Sequence, residues 1–305
     1  FVEKGGDFSK YTTLYGTGPW IIDSFQDGGK SSFKPNPKWW EQGKPYLDQI
    51  NWVGYADTLS QQTGFGKGEI DFIAGGNKVS NETIKKLNGD ARLESWIFGN
   101  WNHLRFNTTK KPFDDARVRL GLFRIFDYKT WNDGFYGDSN LWDWTGPLAA
   151  AFTNDAIPSA DIVKMPGYNP ATKKDDIKAG KDMLSAAGYP DGKGLAFKIM
   201  PQPGNTGVAY TSAVRAQDEL KAALPQIQVD LDVPADFAVF GTRQVKGEWD
   251  MISYTIFPAA DAVIEMTNNV YSTGARNYGK FKDSEVDALI DKAVSQLDTK
   301  ARAET

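Results

Sequence analysis

The chain has 305 residues with a formal net charge of −4, ten tryptophans, no cysteine and a single histidine, His103. Without cysteine there can be no disulfide, thiolate metal site or cysteine nucleophile, and a serine–histidine or histidine–metal site would depend on His103 alone. Lysines scattered among acids predict no nucleic-acid partner, and the sequence lacks the run of about 18 apolar residues that would predict a membrane span.

The first hundred residues contain short, aromatic and turn-rich segments. Residues 16–19 form a glycine–proline turn, and residues 27–30 have the glycine pattern of a hairpin turn. Strand-forming residues flank that hairpin turn and recur further along the chain. The predicted strands cover residues 21–25, 31–34 and 49–53, and a helix is predicted near residues 58–67. We expect these elements to form a β-rich region.

Residues 107–127 combine a strand end, a turn and a helix start. Pro112 cannot lie inside a strand or a helix, and Asp114 or Asp115 can cap the first turn of a helix. Apolar residues then recur at helical spacing, at Val118, Leu122 and Ile125. The segment therefore predicts a strand that ends near Asn107 and a helix that starts near Asp115.

From residue 101 onward, predicted strands alternate with predicted helices. The helix over residues 175–187 has an apolar stripe and is stopped by the glycine–proline stretch 188–192. The other predicted helices cover residues 210–223, 237–246 and 284–296, and the predicted strands cover residues 196–200, 227–231 and 249–254. Strands and helices in alternation indicate an α/β lobe.

Several motifs occur in one order along the chain: the turn at 16–19, the aromatic run at 36–48, and the segments 68–71, 107–119, 166–192, 247–251 and 285–290. In this order they resemble the peptide/nickel class of extracytoplasmic solute-binding proteins, the receptors that feed ABC importers. The resemblance implies an α/β, two-lobed fold of the periplasmic-binding-protein type II. Members of this class are usually much longer, so lobe one is expected to be incomplete.

The resemblance also implies an organisation and a function. Residues 1–100 are expected to form part of lobe one and residues 101–305 lobe two, with a hinge near residues 100–110. The implied function is capture of a small solute, an oligopeptide or an oligosaccharide, in an interlobe cleft by hinge closure. The implied protein is a monomer without a cofactor or enzymatic activity. It acts in the periplasm or outside the cytoplasmic membrane with a membrane ABC permease, and lipid anchoring is left open.

Two charged anchors that related peptide receptors use are missing at the matching positions. Those receptors resemble one another in having an aspartate that binds the ligand amino group. This aspartate lies shortly after the strand that corresponds to residues 249–254 of this chain. In an ungapped match that position is near Phe257, whereas a local gap would bring Asp261, four residues later, to it. Dipeptide receptors place an arginine for the ligand carboxylate in the loop matched by residues 201–207, where this chain has Gln202 and Asn205 and no cation. A buried ligand charge without its counter-charge would cost several kcal/mol.

Aromatic residues predict a different kind of contact. Trp131, Trp142 and Trp144 lie among amide and carboxylate acceptors, which suits the stacking and hydrogen bonding of sugar rings, although each tryptophan could equally belong to the core. Tyr254 ends a predicted strand and Phe257 follows it. Ligands of α/β proteins bind at the carboxyl ends of strands. Packing is expected for Trp39, Trp40 and Trp52. The candidate ligand-binding residues are Tyr254, Phe257, Asp261, Trp142, Trp144, Gln202, Asn205 and Asn277, the last of which could instead shape a turn.

Other functions fit the sequence less well. A glycoside hydrolase, the alternative reading, needs a carboxylate pair beside aromatic platforms, and the Asp114–Asp115 pair has the position of a helix cap. A nickel or haem receptor is disfavoured by the single histidine. His103, beside Trp101 on a predicted strand, is expected to be a structural residue. No metal site and no catalytic residue are predicted.

Overall fold

The computed structural model describes residues 16–26, 29–55, 57–74, 78–94, 99–203 and 207–305. The chain divides into two compact units. Unit 1 comprises Phe1–Gly76 and Ser80–Arg92, and unit 2 comprises Asn77–Val79 and Leu93–Thr305. The lobe boundary at residue 100 and the hinge near residues 100–110 stay predictions. Among the described residues, no helix has both the length and the apolar character that crossing a bilayer requires.

Unit 1 contains an antiparallel sheet in the order β1-β2-β3, formed by β1 (Trp20–Ser24), β2 (Lys30–Pro35) and β3 (Ile50–Val53). The predicted strands and hairpin are confirmed, and turn residues 27 and 28 lie outside the described residues. Helix α1 (Thr58–Gly66) starts where Asp57 accepts a hydrogen bond from the Ser60 N–H at 2.8 Å. Helix α2 (Lys78–Leu87), which the sequence reading did not anticipate, follows it.

Unit 2 is built on a mixed sheet of β4 (Trp101–Phe106), β5 (Ala196–Pro201), β6 (Gln228–Leu231) and β7 (Met251–Ile256), in the order β4-β7-β5-β6. Strand β7 pairs antiparallel with β4 and parallel with β5, which also pairs parallel with β6. The α/β prediction for this region is confirmed. Asn107 follows β4 and binds the segment that precedes β7. Its Nδ2 donates hydrogen bonds to the carbonyls of Gly247 at 3.2 Å and Trp249 at 3.1 Å.

The helices of unit 2 follow the prediction where capping and apolar spacing agree. They are α3 (Ala116–Ile125), α4 (Tyr128–Tyr136), α5 (Ser159–Ile162), α6 (Lys173–Ala186), α7 (Val208–Ala223), α8 (Phe237–Lys246), α9 (Ala262–Asn269), α10 (Ser284–Ser295) and α11 (Thr299–Glu304). Asp115 caps α3 by accepting from the Arg117 N–H at 2.8 Å, as predicted. Close packing of α3 and α6 needs two glycines, since a Cβ on Gly180 would lie 2.5 Å from the Gly121 carbonyl oxygen.

The two sides of the sheet in unit 2 differ in chemistry. One side, called here the apolar face, carries Leu104, Phe106, Ile199 and Met251 and packs on the core that includes Phe113, Leu122, Leu184 and Leu220. The other side, called here the polar face, carries the polar side chains His103 and Arg105 beside Trp101, Ile252, Tyr254 and Ile256, which belong to a second hydrophobic cluster. Strand alternation explains the division: His103 lies opposite Tyr254 and Arg105 opposite Ile252, whereas Phe106 lies opposite Met251.

Candidate functional site

Three rings form a row along the polar face. The ring centroids of Trp101 and His103 lie 5.0 Å apart, and those of His103 and Tyr254 lie 5.9 Å apart. The Arg105 guanidinium carbon lies 5.7 Å from the centroid of the Tyr254 ring, within cation–π range. We call Trp101, His103 and Tyr254 the aromatic row. Tyr254, predicted as a ligand-binding residue, therefore lies in an aromatic and cationic environment.

Arg105 belongs to a hydrogen-bonded network beside the aromatic row. Its Nη1 donates to the carbonyl of Arg276 at 2.9 Å, and its Nη2 donates to Asn269 Oδ1 at 3.1 Å. Asn269 in turn donates to Glu265 Oε1 at 2.6 Å, and Glu265 Oε2 accepts from the Ala259 N–H at 2.7 Å. Glu265 is fully buried. Burial lowers the pKa of Arg105, and the nearby Tyr254 and Glu265 oppose that shift.

His103 is held as a neutral ring. Its Nδ1 accepts a hydrogen bond from Arg105 Nε at 3.3 Å, so the neutral tautomer carries its proton on Nε2. Burial, with a smaller contribution from the Arg105 charge, holds the pKa of His103 well below its ordinary value. The structural role predicted for His103 agrees with the Arg105 contact, yet the Nε2–H group points to no acceptor in the described part of the chain.

Each residue of the aromatic row carries a buried polar atom without a partner. Among the described residues, no hydrogen-bond partner reaches Trp101 Nε1, His103 Nε2 or the Tyr254 hydroxyl. Trp101 and Tyr254 are each 5% exposed, and burial raises the pKa of Tyr254 to about 12. A buried polar group left unpaired costs about 1–3 kcal/mol, so packing alone does not account for three of them on one strand pair.

Gln202 and Phe257 lie at the ends of the two central strands. The Gln202 N–H donates to the Ser253 carbonyl at 2.7 Å, and Gln202 Oε1 accepts from the Thr255 N–H at 3.2 Å, so this side chain extends the pairing of β5 with β7. Phe257 follows β7 directly and is 65% exposed. Asn205 lies outside the described residues. Two of the predicted residues are thus placed at the carboxyl ends of strands, where ligands bind in this fold class.

Asp261 and Asn277 have local structural roles. Asp261 caps α9, because its Oδ1 accepts from the N–H groups of Val263 at 2.9 Å and Ile264 at 3.1 Å. Asn277 is buried and donates through Nδ2 to the carbonyls of Tyr271 at 3.0 Å and Phe281 at 2.7 Å. Their side-chain hydrogen bonds already serve a helix start and a loop. We therefore leave both residues out of the proposed site.

The predicted tryptophan cluster is correct only for two of its members. Trp142 and Trp144 contact each other with ring centroids 5.2 Å apart, and Trp142 Nε1 donates to Asp133 Oδ1 at 3.2 Å. Trp131 lies instead in the core, 6% exposed and 5.1 Å from the Phe126 ring centroid, because α4 turns it inward. The packing expected of Trp40 and Trp52 is wrong, since they are 72% and 70% exposed.

A cavity of about 360 Å³ lies elsewhere in unit 2, between α9, α10 and α11. Its walls are mainly apolar and include Leu148, Met266 and Leu289. The ionic groups at its edge pair with each other, since Arg302 contacts Asp155 at 3.1 Å. Among its described lining residues, no buried side-chain polar atom lacks a hydrogen-bond partner that a solute could replace. The described residues also contain no group of three histidine, cysteine, aspartate or glutamate side chains that could hold a metal ion.

The comparison with protein families decides the class of this chain. Residues 1–278 match the family described as "Bacterial extracellular solute-binding proteins, family 5 Middle". The chain belongs to this family. The resemblance found in the sequence motifs is therefore confirmed.

Individual members show how far the similarity extends. The nickel-binding protein NikA of Staphylococcus aureus is 26% identical over 298 residues, which cover 95% of this chain and 55% of NikA. The periplasmic murein peptide-binding protein MppA of Escherichia coli is 21% identical over 308 residues, which cover 99% of this chain and 54% of MppA. The chain thus spans slightly more than half the length of these curated relatives.

Solved structures confirm the fold of this family. The chain matches the Escherichia coli MppA structure with a TM-score of 0.85 at 19% identity, covering 99% of this chain and 57% of MppA. It matches Haemophilus influenzae OppA, in complex with the peptide RPPGFSPFR, with a TM-score of 0.81 at 19% identity, covering 99% of this chain and 58% of OppA. The Staphylococcus aureus NikA structure, in complex with Ni(L-His)2, gives 0.77 at 23% identity and covers 95% and 58%.

Proposed function

We propose that this chain is the solute-binding part of a receptor that delivers a small solute to an ABC importer. Family membership supports the receptor class, and the relatives named above bind peptides or a nickel–histidine complex. The location of the site is inferred from the aromatic row, with its three buried and unpaired polar atoms. These groups would gain hydrogen bonds when a solute binds against the polar face.

The proposed site extends from the aromatic row toward the ends of β5 and β7. Tyr254 forms its centre, Gln202 and Phe257 lie at the strand ends, and Asn205, which lies outside the described residues, follows Gln202 in the sequence. The Trp142–Trp144 pair offers a second aromatic surface. A solute with peptide or amino-acid character suits this combination of ring faces and hydrogen-bond donors.

The remaining parts of the proposal concern the whole receptor. We propose that it closes on its solute about a hinge near residues 100–110, acts as a monomer, and works outside the cytoplasmic membrane with a membrane permease. These points rest on the family and on the motif order in the sequence. A ligand that binds one of two conformations more tightly shifts the protein toward that conformation, which is the physical basis of closure.

The glycoside hydrolase alternative gains no support from the carboxylates that the sequence suggested. Asp115 caps α3 and pairs with Arg117, and Asp261 caps α9. Asp133, beside Trp142, forms an ion pair with Lys129. A hydrolase needs one carboxylic acid to donate a proton and a second carboxylate across the sugar ring. These carboxylates serve capping and ion pairing instead.

A thermal-shift screen tests the receptor proposal. The panel contains di- to pentapeptides, oligosaccharides, and Ni²⁺ with two equivalents of L-histidine. A solute that binds only the folded protein raises its melting temperature with the logarithm of solute concentration, so at least one peptide or the nickel complex is expected to raise it. The oligosaccharides serve as the comparison set. Sugar release that is abolished by replacing one aspartate or glutamate would contradict the proposal and favour the hydrolase.

A further inference from the structure

The aromatic row points to a particular chemical group on the solute. We propose that Trp101, His103 and Tyr254 bind a carboxylate of the solute. This inference rests on the proposed receptor function and goes beyond it by naming the group that is recognised. It is carried by the type, burial and grouping of the unpaired atoms on one side of β4 and β7.

All three unpaired atoms can donate a hydrogen bond. The indole Nε1 of Trp101 is a donor only, and the Tyr254 hydroxyl carries one proton. His103 donates through Nε2, because its Nδ1 already accepts from Arg105. The three donors belong to neighbouring rings on one strand pair, with centroids spaced 5.0 and 5.9 Å apart. A group that accepts several hydrogen bonds at once satisfies such a set, and a carboxylate has two oxygens with about four acceptor sites.

The charges around the aromatic row favour an anion. Arg105 lies 5.7 Å from the Tyr254 ring, and both Arg105 and Arg276 act to lower the pKa of Tyr254, although burial dominates and raises it. The nearest buried carboxylate, Glu265, has both oxygens engaged, by the Ala259 N–H and by Asn269. It is therefore not available to pair with a solute amine. Cations next to neutral donors stabilise a negative group in a site shielded from water.

This assignment also accounts for the missing cation in the segment after β5. Residues 202–207, which follow β5 in the sequence, include no arginine or lysine that could neutralise a solute carboxylate. Arg105 lies on β4, at the edge of the same sheet, and supplies a cation from a different strand. The carboxylate would thus be bound at β4 and β7 and not in the loop after β5.

Two kinds of solute could bring such a carboxylate. A peptide has a carboxylate at its C-terminus, and a nickel–histidine complex carries one on each histidine molecule. The sources can be separated with matched probes that lack only this group: trialanine against trialanine amide, and Ni²⁺ with L-histidine against Ni²⁺ with histamine. Isothermal titration calorimetry measures the dissociation constant of each probe for the wild-type protein, Trp101→Phe and Tyr254→Phe. Tyr271→Phe is the control, because its hydroxyl contacts Asp291 instead.

The expected result is a preference for the carboxylate-bearing member of at least one pair. Hydrogen bonds to a charged group contribute enough to give about a tenfold or larger difference in dissociation constant. Trp101→Phe and Tyr254→Phe each remove one donor and should reduce that preference several-fold, whereas Tyr271→Phe should keep it. The inference would be overturned if, in every pair that binds, both members had the same dissociation constant. It would also be overturned if Trp101→Phe and Tyr254→Phe both kept the wild-type preference for the carboxylate.

A second measurement applies if none of these four probes binds. The indole N–H resonance of Trp101, assigned by its loss in Trp101→Phe, is followed during titration with sodium acetate and with sodium chloride at equal ionic strength. A shift with acetate alone supports carboxylate binding, and an unmoved resonance overturns it. Binding of an oligosaccharide from the screen that weakens in Tyr254→Phe would support the receptor and its site while overturning the carboxylate assignment.

Discussion

The two faces of the sheet in unit 2 are built from the same strands but have different roles. Toward the apolar face, Phe113, Leu122 and Leu184 are fully buried among other hydrophobic side chains. Toward the polar face, Trp101 and Tyr254 bring buried polar atoms beside the partly buried Arg105. Most side chains toward the apolar face need no explanation beyond the hydrophobic effect. The other face contains groups that hydrophobic packing alone would exclude.

This difference indicates where function is located in the chain. Natural sequences depart from good packing where a site requires it, and buried polar groups without partners are such departures. The polar face also has a buried ionic network, in which Glu265 and Arg105 are joined through Asn269. Substitutions on the apolar face should therefore change stability alone, and those on the polar face should separate stability from binding.

Leu122→Ala should produce the largest loss of stability. Leu122 is fully buried in the core of the apolar face, and replacing such a leucine by alanine typically destabilises by about 3–5 kcal/mol. Urea unfolding measures the change. Leu120→Ala on the same helix is the matched control, because Leu120 is 53% exposed and its replacement should have little effect. Equal losses for the two variants would contradict the assignment of this core.

Arg105→Leu should lower the free energy of unfolding by about 3 kcal/mol, because it leaves the buried Glu265–Asn269 pair without its cation. The free energy of unfolding in urea tests this expectation. Arg117→Leu offers a surface comparison: Arg117 pairs with Asp115 on an exposed helix start, so its replacement should leave the unfolding free energy nearly unchanged. A small effect of Arg105→Leu would show that the network does not stabilise unit 2.

His103 should make stability depend on pH in a defined window. Its pKa in the folded protein lies well below the ordinary 6.5, so the unfolded chain takes up a proton that the folded chain does not. Stability from this group is therefore fully present above about pH 6.5 and is lost as pH falls below it, by about 1 kcal/mol over the first pH unit. His103→Gln keeps an acceptor for Arg105 but cannot titrate.

Unfolding free energies of wild-type protein and His103→Gln at pH 7.5, 6.5 and 5.5 isolate this contribution, since His103 is the only histidine in the sequence. The difference between the two proteins should change below pH 6.5. Parallel pH profiles would show that His103 titrates in the folded protein as it does in the unfolded chain.

Asp261→Ala should cost about 1 kcal/mol through loss of the α9 cap, and Asp261→Asn should restore most of it. Because Asp261 is left out of the proposed site, neither change should alter solute affinity, measured by calorimetry with the solute found in the thermal-shift screen. Loss of affinity in Asp261→Asn would return this carboxylate to the site as a partner for a solute amine.

Local sequence signals were sufficient for elements whose caps and apolar spacing agree. Asp115 and the Val118–Leu122–Ile125 spacing placed α3 correctly, and α8 has the predicted bounds. Helix α4 was missed because Thr130, Asn132 and Gly134 are weak helix formers, and it forms against the core through Trp131. Strand β7 starts two residues late, since the Asp250 carboxylate instead accepts from the Lys198 N–H at 3.1 Å.

The site was only partly predictable for a related reason. A local signal predicts Tyr254, because this residue lies near the end of a predicted strand. No local signal singles out Trp101 or Arg105, because their importance comes from the register that sets β4 beside β7, about 150 residues later in the chain. The alternation of Trp101, His103 and Arg105 on a buried strand was the available signal.

Tyr254→Phe tests the contrast between the two faces most directly. Its unpartnered hydroxyl should contribute nothing to the stability of the free protein, so the melting temperature without solute should stay the same or rise. The dissociation constant for a carboxylate-bearing solute should increase several-fold in the same variant, because one of three donors is lost. A lower melting temperature with unchanged affinity would contradict the account, because it would give the hydroxyl a structural role and place the solute elsewhere.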